Sequence, residues 1–201
     1  MMNHPYIGFE GPIGAGKTTL AQLFAVHLGA ELILEDVDGN EFLADFYKDR
    51  ERWAFSTQLA FLISRYEQLR TIAPMRVRPV VADYTQPKDP IFARTLLRDR
   101  EVQLYERVSI GLDASVPRPD LTVYLDASNE VLLERIRRRN RTYETTIDAA
   151  YLNSLREAYS LYQQATGRLN VMTYDTTHLD LCSEAQLNAL YRRILSAVFA
   201  R

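Results

Sequence analysis

Sulfur is scarce in this chain, with one cysteine, Cys182, among 201 residues. A lone thiol cannot close an internal disulfide and has no sulfur partner for a metal site, so Cys182 is read as a buried apolar filler. Long apolar runs are also missing. No stretch of about 18 apolar residues occurs, and the opening MMNHPYIGFEG lacks a basic segment leading into an apolar one, so neither a membrane span nor a secretory signal is indicated and a cytoplasmic location is expected. Nor is there an excess of charge of one sign. With 24 Lys and Arg against 26 Asp and Glu the formal charge is −2, which argues against a dedicated nucleic-acid binder and makes any basic patch a local one. Internal repeats, low-complexity tracts and linkers are absent as well. What remains is 47% apolar and 25% charged residues, the balance of an ordinary globule, and a length that suits one domain spanning 1–201.

Five short apolar runs read as strands: Tyr6 to Phe9, Glu31 to Leu34, Arg78 to Asp83, Leu121 to Asp126 and Val171 to Tyr174. Helical spacing fills the intervals. Leu20, Leu23, Phe24 and Leu28 define a first helix that Gly29 closes, and two helices are expected between Glu41 and Arg70. A basic helix runs from Glu130 to Arg139, another starts at Asp148 as its cap, and Glu184 to Phe199 closes the chain with Leu187, Leu190, Ile194 and Val198 inward. Strands alternating with helices predict an α/β fold, a three-layer α/β/α sandwich around a five-stranded parallel sheet.

The strongest local signal is Gly11-Pro12-Ile13-Gly14-Ala15-Gly16-Lys17-Thr18, followed by Thr19, which fits G-x-x-x-x-G-K-[ST] between a predicted strand and a predicted helix. Glycines let the backbone curl so that its N–H groups point at phosphate oxygens, and the next helix presents its positive end to the same anion. Lys17 is expected at the β- and γ-phosphates of ATP and the Thr18 hydroxyl on Mg²⁺. The guanine signature N-K-x-D and a D-x-x-G switch are missing, so a GTPase does not fit. A short chain with the late basic run Arg135 to Arg141 suits a small-molecule kinase, whose fixed cations close over the transferring phosphoryl group as a lid, here about 135–147. Arg137 and Arg138 are adjacent on the helix, so they cannot both face a ligand.

A carboxylate beside such a loop, at a strand's carboxyl end, suits proton removal from a hydroxyl nucleophile. Glu35 occupies that place, with Asp36 and Asp38 as neighbouring rivals. Asp36-Val37-Asp38-Gly39-Asn40 is not a calcium loop, because its glycine falls at position four and the twelfth-position glutamate is missing. Gln58 and Arg65 lie seven residues apart, on one helix face about 10 Å apart along the axis. An amide that both donates and accepts suits a nucleobase edge, and Trp53, Phe55 and Phe61 are candidates for an apolar slot around it.

From about Tyr6 to Tyr162 the chain resembles the deoxyribonucleoside kinases, especially the bacterial deoxyadenosine and deoxyguanosine kinase branch. Four motifs carry the likeness: Glu10 through Thr19; Glu35 with Phe42-Leu43 and Phe46-Tyr47; Trp53 through Gln58 with Arg65; and Arg135 through Glu144. The resemblance implies transfer of the ATP γ-phosphoryl group to the 5′-hydroxyl of a deoxyribonucleoside, purine favoured, for nucleotide salvage. It makes Glu35 the general base and gives Phe46, Tyr47, Gln58, Arg65 and Asp89 to the nucleoside. Arg135, Arg139 and Arg141 go to the ATP phosphates, Glu144 to the sugar side, and a homodimer is implied. One departure stands out. Where the family has an acidic-arginine-serine triplet after its third strand, this chain reads Asp83-Tyr84-Thr85, so Asp83 keeps a carboxylate for Mg²⁺ while the arginine's contact must come from elsewhere, Lys88 or a lid arginine.

Two other readings compete. A thymidylate-kinase-like nucleoside monophosphate kinase shares the loop, sheet and lid but needs an added cation for its acceptor phosphate, where this chain has Tyr84. A non-catalytic nucleotide-binding regulator would account for the missing arginine but leaves Lys17, Glu35 and the lid without a purpose.

Overall fold

The computed structural model describes residues 4–74, 76–113, 116–165 and 170–199. Five strands, β1 (Tyr6–Glu10), β2 (Glu31–Ile33), β3 (Val80–Ala82), β4 (Leu121–Asp126) and β5 (Val171–Asp175), form one parallel sheet in the order β2-β3-β1-β4-β5. Every residue of β1 is buried, as a central strand covered on both faces must be. The chain moves to β2 and β3 on one side of β1 and then to β4 and β5 on the other. This reversal opens a crevice at the carboxyl ends of the central strands, where ligands bind in open α/β sheets.

The helices are α1 (Lys17–Leu28), α2 (Leu43–Lys48), α3 (Arg50–Leu69), α4 (Lys88–Leu96), α5 (Asp99–Asp113), α6 (Asn129–Arg139), α7 (Ala149–Ala165) and α8 (Glu184–Phe199), with a 3₁₀ turn at Thr142–Thr146. Side-chain alternation along β1 assigns the layers. Phe9 meets Phe24 of α1 edge to face at 6.0 Å, and Phe24 in turn contacts Tyr191 of α8 at 5.2 Å. Glu10 points the other way, accepting from the Tyr159 hydroxyl of α7 at 2.7 Å, while Tyr159 packs on Phe92 of α4. Helices therefore cover both faces, and the expected three-layer α/β/α sandwich is the fold. Phe24 is fully buried, and truncating such a residue to alanine costs about 3–5 kcal/mol.

Local signals mostly carried through. Gly29 caps α1, and Asp148 caps α7 by accepting from the Tyr151 N–H at 2.8 Å. Asp49 separates the two helices expected between Glu41 and Arg70. In α8, Leu190 and Ile194 are buried, with Leu187 and Val198 at the margin of the core. The sequence did not reveal α4 and α5. Pro87 and Pro90 make the α4 segment look like a loop, yet Pro90 falls in the first turn of the helix, where a missing N–H leaves no intrahelical bond unmade. In α5 apolar residues are interleaved with charged ones, with Tyr105 buried and Leu104 and Ile110 exposed.

Cys182 is exposed rather than buried. It lies in the turn before α8, where its N–H donates to Asp180 Oδ1 at 2.9 Å, and so never reaches the core. Strands β2 and β3 end at Ile33 and Ala82, earlier than the apolar runs suggest. Asp83 still donates its N–H to the Ile33 carbonyl at 3.1 Å, so Glu35 and Asp83 emerge together from the edge of the sheet. Among the described residues no helix is long and apolar enough to cross a membrane.

Candidate active site

The phosphate loop runs from the end of β1 into α1. Its conformation depends on glycine at two points. Gly11 has φ +138°, and a Cβ there would sit 2.0 Å from the Leu125 carbonyl oxygen; Gly14 has φ +86°, and a Cβ there would sit 2.8 Å from the Leu132 carbonyl oxygen. Beneath the loop, Glu10 is buried and fully bonded, accepting from the Thr85 N–H at 2.6 Å, the Thr85 hydroxyl at 2.8 Å and Tyr159. The Lys17 ammonium donates to the carbonyls of Gly11 and Pro12, each at 2.9 Å, which holds it over the loop. Burial lowers its pKa to about 8, and the nearby Lys88 charge adds to that, against the pull of Glu10, Glu35 and Asp83.

Asp83 joins the loop to the acid behind it. Its Oδ2 accepts from the Thr18 hydroxyl at 2.6 Å, and its Oδ1 accepts from the Glu35 N–H at 2.7 Å. Glu35 is held by two cations. Arg65 Nε donates to Glu35 Oε1 at 2.7 Å, Arg65 Nη2 donates to the same oxygen, and Lys88 Nζ donates to Glu35 Oε2 at 2.6 Å. Burial opposes ionisation of Glu35, but Arg65 and Lys88 outweigh it and hold the carboxyl well below the usual carboxylate range. Asp36 and Asp38, the rival acids, are exposed, and Asp36 spends an oxygen on the Gly39 N–H at 2.9 Å.

These groups line a cleft of about 280 Å³ together with Phe46 and Tyr47 of α2, Gln58, Phe61 and Arg65 of α3, Phe92 of α4, and Arg139, Arg141 and Glu144. Gln58 and Arg65 share a face of α3 as their spacing predicts, and both are buried rather than part of a surface stripe. The Gln58 Oε1 is buried without a hydrogen-bond partner. Of the three candidates for the slot, Phe61 lines the cleft; Trp53 instead stacks on Phe42 at 6.0 Å, and Phe55 packs against the core. Asp89 is not in the cleft wall either. It stands behind Arg65 and accepts from Arg65 Nη1, so it orients the guanidinium from the rear; burial pushes the Asp89 carboxyl up against the pull of that arginine.

The basic segment closes the other side. Arg139 Nη2 donates to both oxygens of the buried Glu144 at 2.7 Å, and Arg141 lies 3.7 Å from the same carboxylate. Arg135 donates to the Thr176 hydroxyl at 2.9 Å and to the Thr176 carbonyl at 2.7 Å. With Arg138, which the sequence could not separate from Arg137, these arginines and residues 14–19 line a second cavity of about 450 Å³. Gly14, Lys17, Thr18, Arg139 and Arg141 border both cavities. The segment is latched to α2 and α3, since the Thr146 hydroxyl donates to the Tyr47 carbonyl at 3.1 Å and Arg50 Nη2 to the Thr146 carbonyl at 2.8 Å.

Tyr84 does not replace a charge. Fully buried, it donates its hydroxyl to Gln68 Oε1 at 2.6 Å, and Gln68 Nε2 donates to the Leu34 carbonyl at 3.0 Å, which steadies the chain just before Glu35. Lys88, one of the two sources the sequence offered for the missing arginine's contact, lies beside Glu35 together with Arg65.

A phosphate loop, a buried acid and an apolar slot with an unbonded amide, all opening on one cleft, match a defined family. The family model "Deoxynucleoside kinase" matches residues 7–198. The chain belongs to the deoxynucleoside kinase family. It is 36% identical over 182 residues to the deoxyguanosine kinase of Bacillus subtilis (strain 168), covering 87% of this chain and 88% of that protein. To the deoxyadenosine kinase of Dictyostelium discoideum it is 38% identical over 168 residues, 81% of this chain and 68% of that one. Among solved structures, deoxyadenosine kinase from M. mycoides with bound dATP superposes with a TM-score of 0.81 at 25% identity, over 96% of this chain and 100% of that one. The chain is therefore a kinase that phosphorylates deoxynucleosides with ATP as donor. Family membership sets aside the thymidylate-kinase-like and regulator readings.

Proposed function

We propose that the chain transfers the γ-phosphoryl group of ATP to the 5′-hydroxyl of a purine deoxyribonucleoside, with Glu35 as general base, in nucleotide salvage. The observation that supports a base site here is the buried, unbonded Gln58 Oε1 in the cleft, an acceptor that suits adenine and cytosine alike. A buried acceptor without a partner is costly, and a base that supplies an N–H relieves it. Gln58 then accepts from the base and donates to a ring nitrogen, while the Arg65 fork, fixed by Asp89, donates to acceptors on the same edge. Phe46, Tyr47 and Phe61 flank the ring. The choice of a purine is supported by the similarity to kinases named for deoxyguanosine and deoxyadenosine.

With the base seated there, the sugar lies between Glu144 and Glu35 and the 5′-oxygen next to the Glu35 carboxylate. Glu35 orients that hydroxyl and takes its proton as the oxygen attacks phosphorus. Residues 11–19 cradle the ATP phosphates through their N–H groups, and Lys17, Arg135, Arg139 and Arg141 meet the charge that spreads over the phosphoryl oxygens. Residues of the segment 135–147 act as the lid. Thr18 and Asp83 fit a Mg²⁺ site, because a hydroxyl and a carboxylate already 2.6 Å apart at the loop are the sparse oxygen set this ion takes alongside phosphates and waters. When bound there the ion neutralises charge on the β- and γ-phosphates. We also infer a cytoplasmic homodimer of one-domain chains. Its interface is supported by apolar side chains left open on the helices after β2 and β3, Ile63 on α3 with Leu104 and Ile110 on α5.

The test is product analysis with ATP, Mg²⁺, the four deoxynucleosides and their four 5′-monophosphates. Conversion of deoxyguanosine or deoxyadenosine well ahead of thymidine is the expected result. Preference for thymidine or deoxycytidine would remove the purine assignment, and conversion of a monophosphate alone would remove the role of Glu35.

A further inference from the structure

Lys88, the first residue of α4, places in the cleft a positive charge that none of the four motifs supplies. Its side chain is 7% exposed, so its ammonium is withdrawn from water. An ammonium has three donors, yet among the described residues Lys88 Nζ makes one hydrogen bond, to Glu35 Oε2 at 2.6 Å. Arg65, the other cation on Glu35, is fixed by comparison: Asp89 holds it from behind and the Phe61 ring lies 4.6 Å from its guanidinium carbon. Lys88 has a flexible stem and two donors to spare. Lys17 lines the same cleft, so two ammonium groups share the space with Glu35 and Asp83.

Charge balance during transfer gives Lys88 a task. The 5′-oxygen forms its bond to the γ-phosphorus, the bond from that phosphorus to the β-bridging oxygen breaks, ADP leaves with the electron pair, and the hydroxyl proton passes to Glu35. Protonation of Glu35 removes the anion that Lys88 was paired with at the moment negative charge spreads over the phosphoryl oxygens. A cation released by the base and close to those oxygens binds the transition state more strongly than the ground state, which is the condition for raising kcat. We propose that Lys88 is a catalytic residue that holds Glu35 before transfer and donates to the phosphoryl group during it. This rests on the reading of Glu35 as the base.

The experiment compares Lys88→Met, Lys88→Arg, Lys88→Ala and Glu35→Gln in the full chain, by single-turnover transfer and steady-state kcat and KM, with thermal unfolding of each. Lys88→Met is expected to lose about 10²- to 10³-fold in transfer rate, the usual loss for one such donor, with KM for the deoxynucleoside little changed. Lys88→Arg should retain more activity than Lys88→Met, and propylammonium should partly restore Lys88→Ala in a concentration-dependent way. A Lys88→Met rate within about threefold of the parent, too small a change for a lost transition-state contact, would overturn the proposal. So would a loss that no amine restores and that tracks the melting temperature. An inactive Glu35→Gln beside a fully active Lys88→Met would remove Lys88 alone, whereas an active Glu35→Gln would remove the base reading beneath it.

Discussion

Replacing Arg65 with methionine strands two acids in the interior. The Arg65 side chain is 3% exposed and bridges Asp89, at 4%, to Glu35, at 11%. Methionine fills much of the volume and removes the charge, so the loss is electrostatic rather than steric. Removing one partner of a buried pair costs about 3–5 kcal/mol. At the ~2–4 °C per kcal/mol typical of chains of this size, the melting temperature should fall by ~6–20 °C near neutral pH. The pH dependence identifies the cause. In the parent protein Glu35 is held below the usual carboxylate range, so its contribution to stability is present above the unfolded-state pKa and is lost as pH falls through the folded one. Without Arg65 the pull on both carboxyls weakens and each takes up a proton more readily in the folded state. The gap between parent and variant should therefore be widest near neutrality and narrow as pH falls toward ~4. Urea unfolding monitored by circular dichroism across that range measures it. Adding Asp89→Asn should cost less than the sum of the two single changes, by ~0.5–3 kcal/mol for residues in contact. A gap below about 1 kcal/mol at pH 7, or one that does not vary with pH, would show that Arg65 is not the counter-charge of these acids.

Gln58→Leu should raise KM for the deoxynucleoside about 10- to 100-fold, the loss of one or two hydrogen bonds, with kcat close to the parent value in steady-state assays. Arg139→Ala, which takes away the two-oxygen contact to Glu144, should lower kcat by about 10²-fold with a smaller effect on deoxynucleoside affinity, measured by initial rates against equilibrium titration. Cys182, exposed in its turn, should react with iodoacetamide to a single adduct by intact mass while kinase activity is unchanged.

The parts legible in the sequence are those where local chemistry dictates geometry. Gly11, Gly14 and Lys17 announce the phosphate loop because backbone curvature and phosphate binding each demand particular residue types, and doubly buried strands such as Tyr6–Glu10 announce a parallel sheet. Glu35, Gln58 and Arg65 were legible as candidates because strand ends and seven-residue helical spacing have fixed geometric meaning. Contacts between distant segments were not. Asp89 sits behind Arg65 rather than in the cleft, because α4 packs on the back of α3, and no local pattern records which side of an arginine a carboxylate approaches. The prolines Pro87 and Pro90 obscured the helix that seats Lys88 on Glu35, although a lysine at the start of the segment after β3 lies at the functional edge of such a sheet. Cys182 misled because a cysteine's usual burial is a statistical habit, whereas its turn is set by Asp180.

The most direct test of Glu35 as the base that makes this chain a deoxynucleoside kinase is single-turnover phosphoryl transfer by Glu35→Gln, measured beside the equilibrium affinity for the preferred deoxynucleoside. Glutamine keeps the shape and cannot accept the proton, so transfer should fall by about 10²- to 10⁴-fold while the nucleoside still binds. Transfer within about threefold of the parent, far short of a general-base effect, would contradict it.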